Sequence, residues 1–246
     1  MKHLCLAALL IPGLLSSPAP VSSEALGTVE YEVRYLLGGL DTKVADAAIS
    51  LEHSTWEGQK VLHAHAVIRT APIFRLFMNA EYLADTYLVS GGLEPLYYMN
   101  PIKRAGKLGR FECVYDKSAG IIRSEFVRPP ADSVSKSFPL DGKTMDLLSL
   151  LQYVRFLDLA EGRSLSMHVL KAGLSVPATL TNKGPDTERY PGVETDRFLL
   201  TMTETGLMEN GSGNKITVWR QAGSERVLLG MEVNLGSGVM LVTIKP

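Results

Sequence analysis

The chain has 246 residues, a formal net charge of −1, 46% hydrophobic residues and two cysteines. So even a charge balance supplies no basic stripe, and nucleic acid is not an expected partner. With one of its two cysteines inside the N-terminal apolar run, the chain has no internal disulfide framework.

The N-terminus reads "MKHLCLAALLIPGLLSSPAPVSSEA": a basic start at Lys2 and His3, an apolar run from Leu4 to Leu15, then small residues through Val21-Ser22-Ser23. That order is that of a secretory signal peptide over residues 1–23, with cleavage expected after Ser23. The apolar run is too short for a stable membrane anchor, and Pro12 and Gly13 interrupt it. Cys5 lies within the run, which is not where a lipid-modified cysteine stands. Cleavage would remove one charged residue, Lys2, and release residues 24–246 into the periplasm as a single domain. No later run is long enough to cross a membrane. Cys113 then reads as a small buried apolar residue on a strand rather than a nucleophile.

Alternation dominates the rest. In "TVEYEVRYLL", Val29, Tyr31, Val33 and Tyr35 share one face and Glu30, Glu32 and Arg34 the other, the pattern of a half-buried strand ended by Gly38-Gly39. "KVADAAISLEH" and "QKVLHAHAVIRT" continue as strands across "STWEGQ". "APIFRLF" reads as a helical turn or a bend, and "AEYLADTYLV" as another strand before the turn "SGGLEP". "LYYMNP", "GRFECVYD" and "GIIRSEFVRP" follow, with "KSAG" as a tight connection.

One segment changes period. "KTMDLLSLLQYVRFLDLAEG" carries Leu147, Leu150, Leu151, Val154 and Leu157 at helical spacing, which predicts a helix over 144–159. Thr144 is the expected cap, Asp146 suits the first turn and Gly162 the end. Six further strands follow, from "SLSMHVLK" to "GVMLVTIK", the last two separated by "GSG". Many strands, one helix and no β-α rhythm imply a mostly β fold: an antiparallel barrel, closed or half-open, with the helix plugging or covering an opening. Two sheets split around the helix are the alternative.

The segment "DLLSLLQYVRFLDLAEGRSL", with its surroundings, resembles an exported bacterial family known as domain of unknown function 3108. Members open with a strand like "YEVRYLLGGL", continue with a segment like "DTYLVSGGLEPLYYM" and a helix like "DLLSLLQYVR", and close around a tryptophan as in "ITVWRQAGSERVLLGMEV". The resemblance spans nearly the whole mature chain and implies an exported, mostly β, barrel-like envelope protein without assigned catalytic residues. Family members often carry an acidic pair between the tryptophan and an arginine. Here Trp219 is followed by "RQAGSER", which keeps Arg226 and lacks the pair.

Three groups of residues carry possible chemistry. On the strand "VLHAHAVI", Leu62, Ala64, Ala66 and Ile68 form an apolar face and His63 and His65 point the other way. If "STWEGQ" turns so that His53 faces Lys60, Glu52 lies diagonal to His63 and completes a metal set of His63, His65 and Glu52. The alternative is a pair of half-exposed histidines beside a carboxylate. "PIKRAGKLGR" presents Lys103, Arg104, Lys107 and Arg110 in a loop that could meet anionic head groups, or could be an ordinary solvated turn. Aromatic residues Tyr31, Tyr35, Tyr82, Tyr97, Tyr98 and Trp219, with Leu151 and Val154 of the helix, could line a ligand pocket or simply fill the core.

No nucleophile elbow, phosphate loop or metalloprotease helix is present in the sequence, so neither a reaction nor a cofactor is expected. The first functional reading is a non-catalytic binding module for a lipid or other apolar or amphipathic ligand. A structural envelope partner with a filled core and a metal-dependent hydrolase are the alternatives.

Overall fold

A computed structural model describes residues 18, 21, 26–74, 81–104, 107–127, 133–171, 174–203, 215–235 and 237–245. Most of the expected signal peptide therefore lies outside the described residues.

Among the described residues, fifteen strands and one α-helix follow in chain order: β1 (Gly27–Leu37), β2 (Leu40–Trp56), β3 (Gln59–Thr70), β4 (Glu81–Val89), β5 (Pro95–Arg104), β6 (Lys107–Asp116), β7 (Ile121–Val127), β8 (Val134–Pro139), β9 (Thr144–Met145), α1 (Leu147–Phe156), β10 (Ser164–Lys171), β11 (Leu174–Pro185), β12 (Thr195–Met202), β13 (Lys215–Gln221), β14 (Leu228–Asn234) and β15 (Val239–Ile244). "APIFRLF" contributes a 3₁₀ turn at Pro72–Phe74. All strands belong to one sheet, in the order β8 through β1, then β15 through β9. Neighbours are antiparallel apart from β9 and β10. The first and last strands pair directly, Tyr31 opposite Ile244 and Leu36 opposite Val239, so the two halves of the chain unite at the sheet's centre.

Local chemistry sets the register. Glu57 (φ 49°) and Gly58 (φ 79°) both take the left-handed conformation that a two-residue hairpin turn needs. Trp56 is thereby opposite Gln59, and Glu52 opposite His63. Gly38 and Gly39 turn the preceding hairpin in the same way. Register shifts at Val33/Arg34, Tyr87/Leu88, Asn182/Pro185 and Trp219/Arg220 add local twist and help the sheet curl.

The sheet curls without closing. β8 and β9 are its two edges, and only residues 140–143 join them. That connector holds Pro139 within about 18 Å of Thr144, so the edges must lie near one another. Two features oppose hydrogen-bonded closure. The outer side of β10 is occupied at His168 and Val169 by β9, and Pro139 removes a donor from the end of β8. The closed barrel of the two expected alternatives is thus corrected to an open, curved sheet. β8, exposed along most of its length, lacks the apolar alternation of its neighbours.

Helix α1 fills the interior of the curve. Every residue from Leu148 to Phe156 is buried, polar Ser149, Gln152 and Arg155 included. Its cap is Asp146, whose side chain accepts the Ser149 amide, while Thr144 sits in β9. Leu157 is already extended, so the helix ends well short of Gly162. Two arginines from the far half of the sheet cover the orphan carbonyls there. Arg220 Nη1 donates to Val154 O (3.0 Å) and Leu157 O (2.7 Å), and Arg226 Nη1 donates to Phe156 O (2.9 Å). The stretch from Trp219 to Arg226 thereby fastens the end of the helix. Among the described residues, no helix is long and apolar enough to cross a membrane.

Candidate functional site

Strand parity places His63 and His65 on the outer face of β3, while Leu62, Ala64 and Ala66 point into the core. The tight Glu57-Gly58 turn shifts the β2–β3 register two residues from the expected one. An even shift keeps each side chain on its face and changes only its partner. Glu52 therefore lies directly opposite His63, not diagonal to it. The group that joins both histidines is Asp85 of β4, opposite His65. Its Oδ1 is 2.8 Å from His63 Nε2 and 2.8 Å from His65 Nδ1, whereas Glu52 reaches only His63, at Nδ1 and 3.3 Å. His63 and Asp85 side chains are each 17% exposed and His65 35%, against 67% for Glu52. Glu52, expected to complete a set with His63 and His65, thus reaches only one of the two histidines, and the residue in contact with both is Asp85.

Electrostatics follow the contacts. The Asp85 hydrogen bond raises the His63 pKa, with a further push from Glu52 against the opposing effect of burial. Burial alone would raise the Asp85 carboxyl, but hydrogen bonds from His63 and His65 outweigh it and hold the group below its usual value. Tyr87 stacks on the His63 ring at 4.6 Å and 10°. Trp56 lies against Tyr87 (4.5 Å) and Tyr97 (4.7 Å), making an aromatic cover beside the cluster.

A second feature occupies the seam. A cleft of about 380 Å³ opens between the β5–β7 region and the connector that leads into β9. Pro95, Tyr115, Leu140 and Met145 supply its apolar lining, and Lys117 and Lys143 stand among its polar groups. Lys117 pairs with Glu94. Lys143 Nζ donates to Tyr153 OH at 2.9 Å, on the helix. Behind the cleft, the buried Asp146 carboxyl accepts from Tyr115 OH (3.3 Å), Thr86 Oγ1 (3.3 Å) and the Ser149 hydroxyl. On the other side of the connector, a cleft of about 470 Å³ runs between Phe138 and Pro139 of β8 and His168 and Leu174 of the opposite edge.

The eight aromatic and apolar residues expected to line one pocket do not converge. Tyr31, Leu151 and Val154 are packed in the core, with Tyr31 OH donating to Leu228 O at 3.0 Å. Tyr35 bonds Ser237 near the β1–β15 border. Tyr97 belongs to the outer aromatic cover. Trp219 faces outward too, donating from Nε1 to Asp186 (2.9 Å) beneath Tyr190. Tyr82 and Tyr98 meet through their hydroxyls at 3.2 Å. Lys103 and Arg104 end β5, and Lys107 and Arg110 open β6, so the basic group stands on a β-hairpin. The side chains of residues 102–108 lie outside the described residues, and Arg110 pairs with Glu112 at 2.5 Å. Cys113 is fully buried, and burial pushes its thiol pKa up.

The partners of three residues central to these sites escape a reading of the sequence. Asp85 is legible as an outward residue between Leu83 and Tyr87, but pairing it with His65 requires the β3–β4 register, which no short turn fixes. Tyr115 and Leu140 come together only because the sheet curls.

The family model for DUF3108, described as a protein of unknown function, matches residues 30–243. No curated protein matches the chain. A solved structure that matches is the beta-barrel-like protein of domain of unknown function DUF1849 from Brucella abortus, at 8% identity and a TM-score of 0.50. That match covers 89% of this chain and 95% of the other. At such an identity the likeness speaks for the fold alone.

Proposed function

The chain belongs to the DUF3108 family of proteins of unknown function, and from that premise we propose that it is an exported periplasmic envelope protein that binds an amphipathic, anionic ligand such as a lipid or fatty acid without chemically transforming it. The observation that carries this reading is the seam cleft. Its volume, about 380 Å³, falls in the roughly 300–1,000 Å³ range of small-molecule sites. Pro95, Tyr115, Leu140 and Met145 offer an apolar lining for a hydrocarbon portion, while Lys143 offers charge to a carboxylate or phosphate, Lys117 being already paired with Glu94 of the same cleft. The ligand lies beside the start of the helix, not beneath it, because the space beneath is filled by the helix's own side chains. The leader-like order of residues 1–23 supports export.

Uptake of a fluorescent fatty acid by the mature chain tests the reading. Leu140→Trp fills the cleft and is expected to lower affinity at least 10-fold with a native far-ultraviolet spectrum. Lys143→Glu is expected to weaken a fatty acid more than the corresponding alcohol. Unchanged uptake by a folded Leu140→Trp protein contradicts the proposal.

A further inference from the structure

We propose that His63, His65 and Asp85 form a binding site for one divalent transition-metal ion of the zinc class. The site stands on the outer face of β3 and β4 and is independent of the seam cleft. One ligand atom from each of the three residues lies within 4.8 Å of the other two. Metal–nitrogen and metal–oxygen bonds of about 2.0–2.2 Å put tetrahedral ligand atoms roughly 3.4 Å apart. Small side-chain rotations therefore open room for an ion between groups that already converge.

The geometry assigns roles atom by atom. His63 Nε2 and His65 Nδ1 face Asp85 and are the nitrogen ligands, with an Asp85 carboxylate oxygen as the third. His63 Nδ1 faces Glu52 instead. Glu52 is thus an orienting partner rather than a ligand, accepting from the ring nitrogen that the metal does not use. Tyr87, stacked on the same ring, fixes its plane. Because adjacent hydrogen-bonded strands carry all four groups, the backbone spacing is set before any ion arrives. Three protein ligands leave a coordination position for water or an exogenous group. Two imidazoles and one carboxylate favour zinc, nickel, copper or iron(II) over magnesium and calcium, which prefer oxygen-rich shells.

Isothermal titration of untagged, chelator-treated mature protein with zinc chloride tests this, with cobalt(II) absorption as a second readout. The expected result is one equivalent bound at micromolar Kd or tighter, undisturbed by millimolar magnesium. His63→Ala, His65→Ala and the conservative Asp85→Asn should each weaken binding at least 10-fold, Glu52→Gln by about 10-fold, and His53→Ala not at all. Cobalt should give visible bands that Asp85→Asn abolishes. Absence of saturable binding in the folded wild-type protein overturns the proposal. So does one-equivalent binding that survives both His65→Ala and Asp85→Asn.

Discussion

Asp146 concentrates the residue-scale physics of this protein. Its carboxyl is 1% exposed, caps the helix and accepts from Thr86, Tyr115 and Ser149. Burial is the largest influence on it and raises its pKa despite those donors. A folded-state pKa above the unfolded one means the folded chain holds the proton more tightly. The resulting stability is fully present below the unfolded pKa and is lost as pH rises through the folded one. Asp146→Asn keeps an acceptor for the Ser149 amide, so urea unfolding across pH 4–8 should lose that part of the pH slope. Asp146→Ala should cost about 1–3 kcal/mol at the acid end of that range and less as pH rises, since the cap goes and buried hydroxyls lose an acceptor. An undiminished slope in Asp146→Asn would remove this residue from the account. Sequence patterning puts Asp146 in the first turn and gives the cap to Thr144, whereas Asp146 precedes the first turn and is itself the cap. What the pattern cannot show is that Thr144 is held beside His168 in β9, leaving Asp146 as the first residue free to cap.

At the scale of elements, the helix is held from both ends by the sheet it fills. Its period is legible from Leu147 to Leu157 because apolar spacing survives in any environment. Its C-terminus is not, because a long-range partner sets it: Arg220 gathers the carbonyls of Val154 and Leu157 while paired with Asp196. Replacing Arg220 by Met strands those carbonyls and a partly buried Asp196, a change expected to cost about 3 kcal/mol or more. Arg226 pairs with the largely exposed Asp158 and covers only the Phe156 carbonyl, so Arg226→Ala should cost nearer 1 kcal/mol. Chemical denaturation that ranks Arg226 above Arg220 would show that the helix end is held otherwise. Strand β8 is hidden in the sequence for the opposite reason. With nearly all of "VSKSFP" exposed, it carries no buried alternation, and only pairing with β7 reveals it as a strand.

At the scale of the whole molecule, the described residues form one meandering sheet around one α-helix. Antiparallel hairpins are legible from alternation and turn residues. Pairing of β1 with β15 and the failure of β8 to reach β10 are not, because each depends on chain segments far apart in sequence. That failure leaves the seam, and the seam supplies the cleft in which Leu140, Met145, Lys117 and Lys143 meet. Native mass spectrometry of untagged protein, purified gently from the periplasm, tests the central claim most directly. The account predicts the mass of a chain beginning at Glu24 with a lipid-sized adduct, and loss of that adduct in Leu140→Trp. A bare polypeptide mass under the same gentle conditions, or an adduct indifferent to Leu140→Trp, would contradict it.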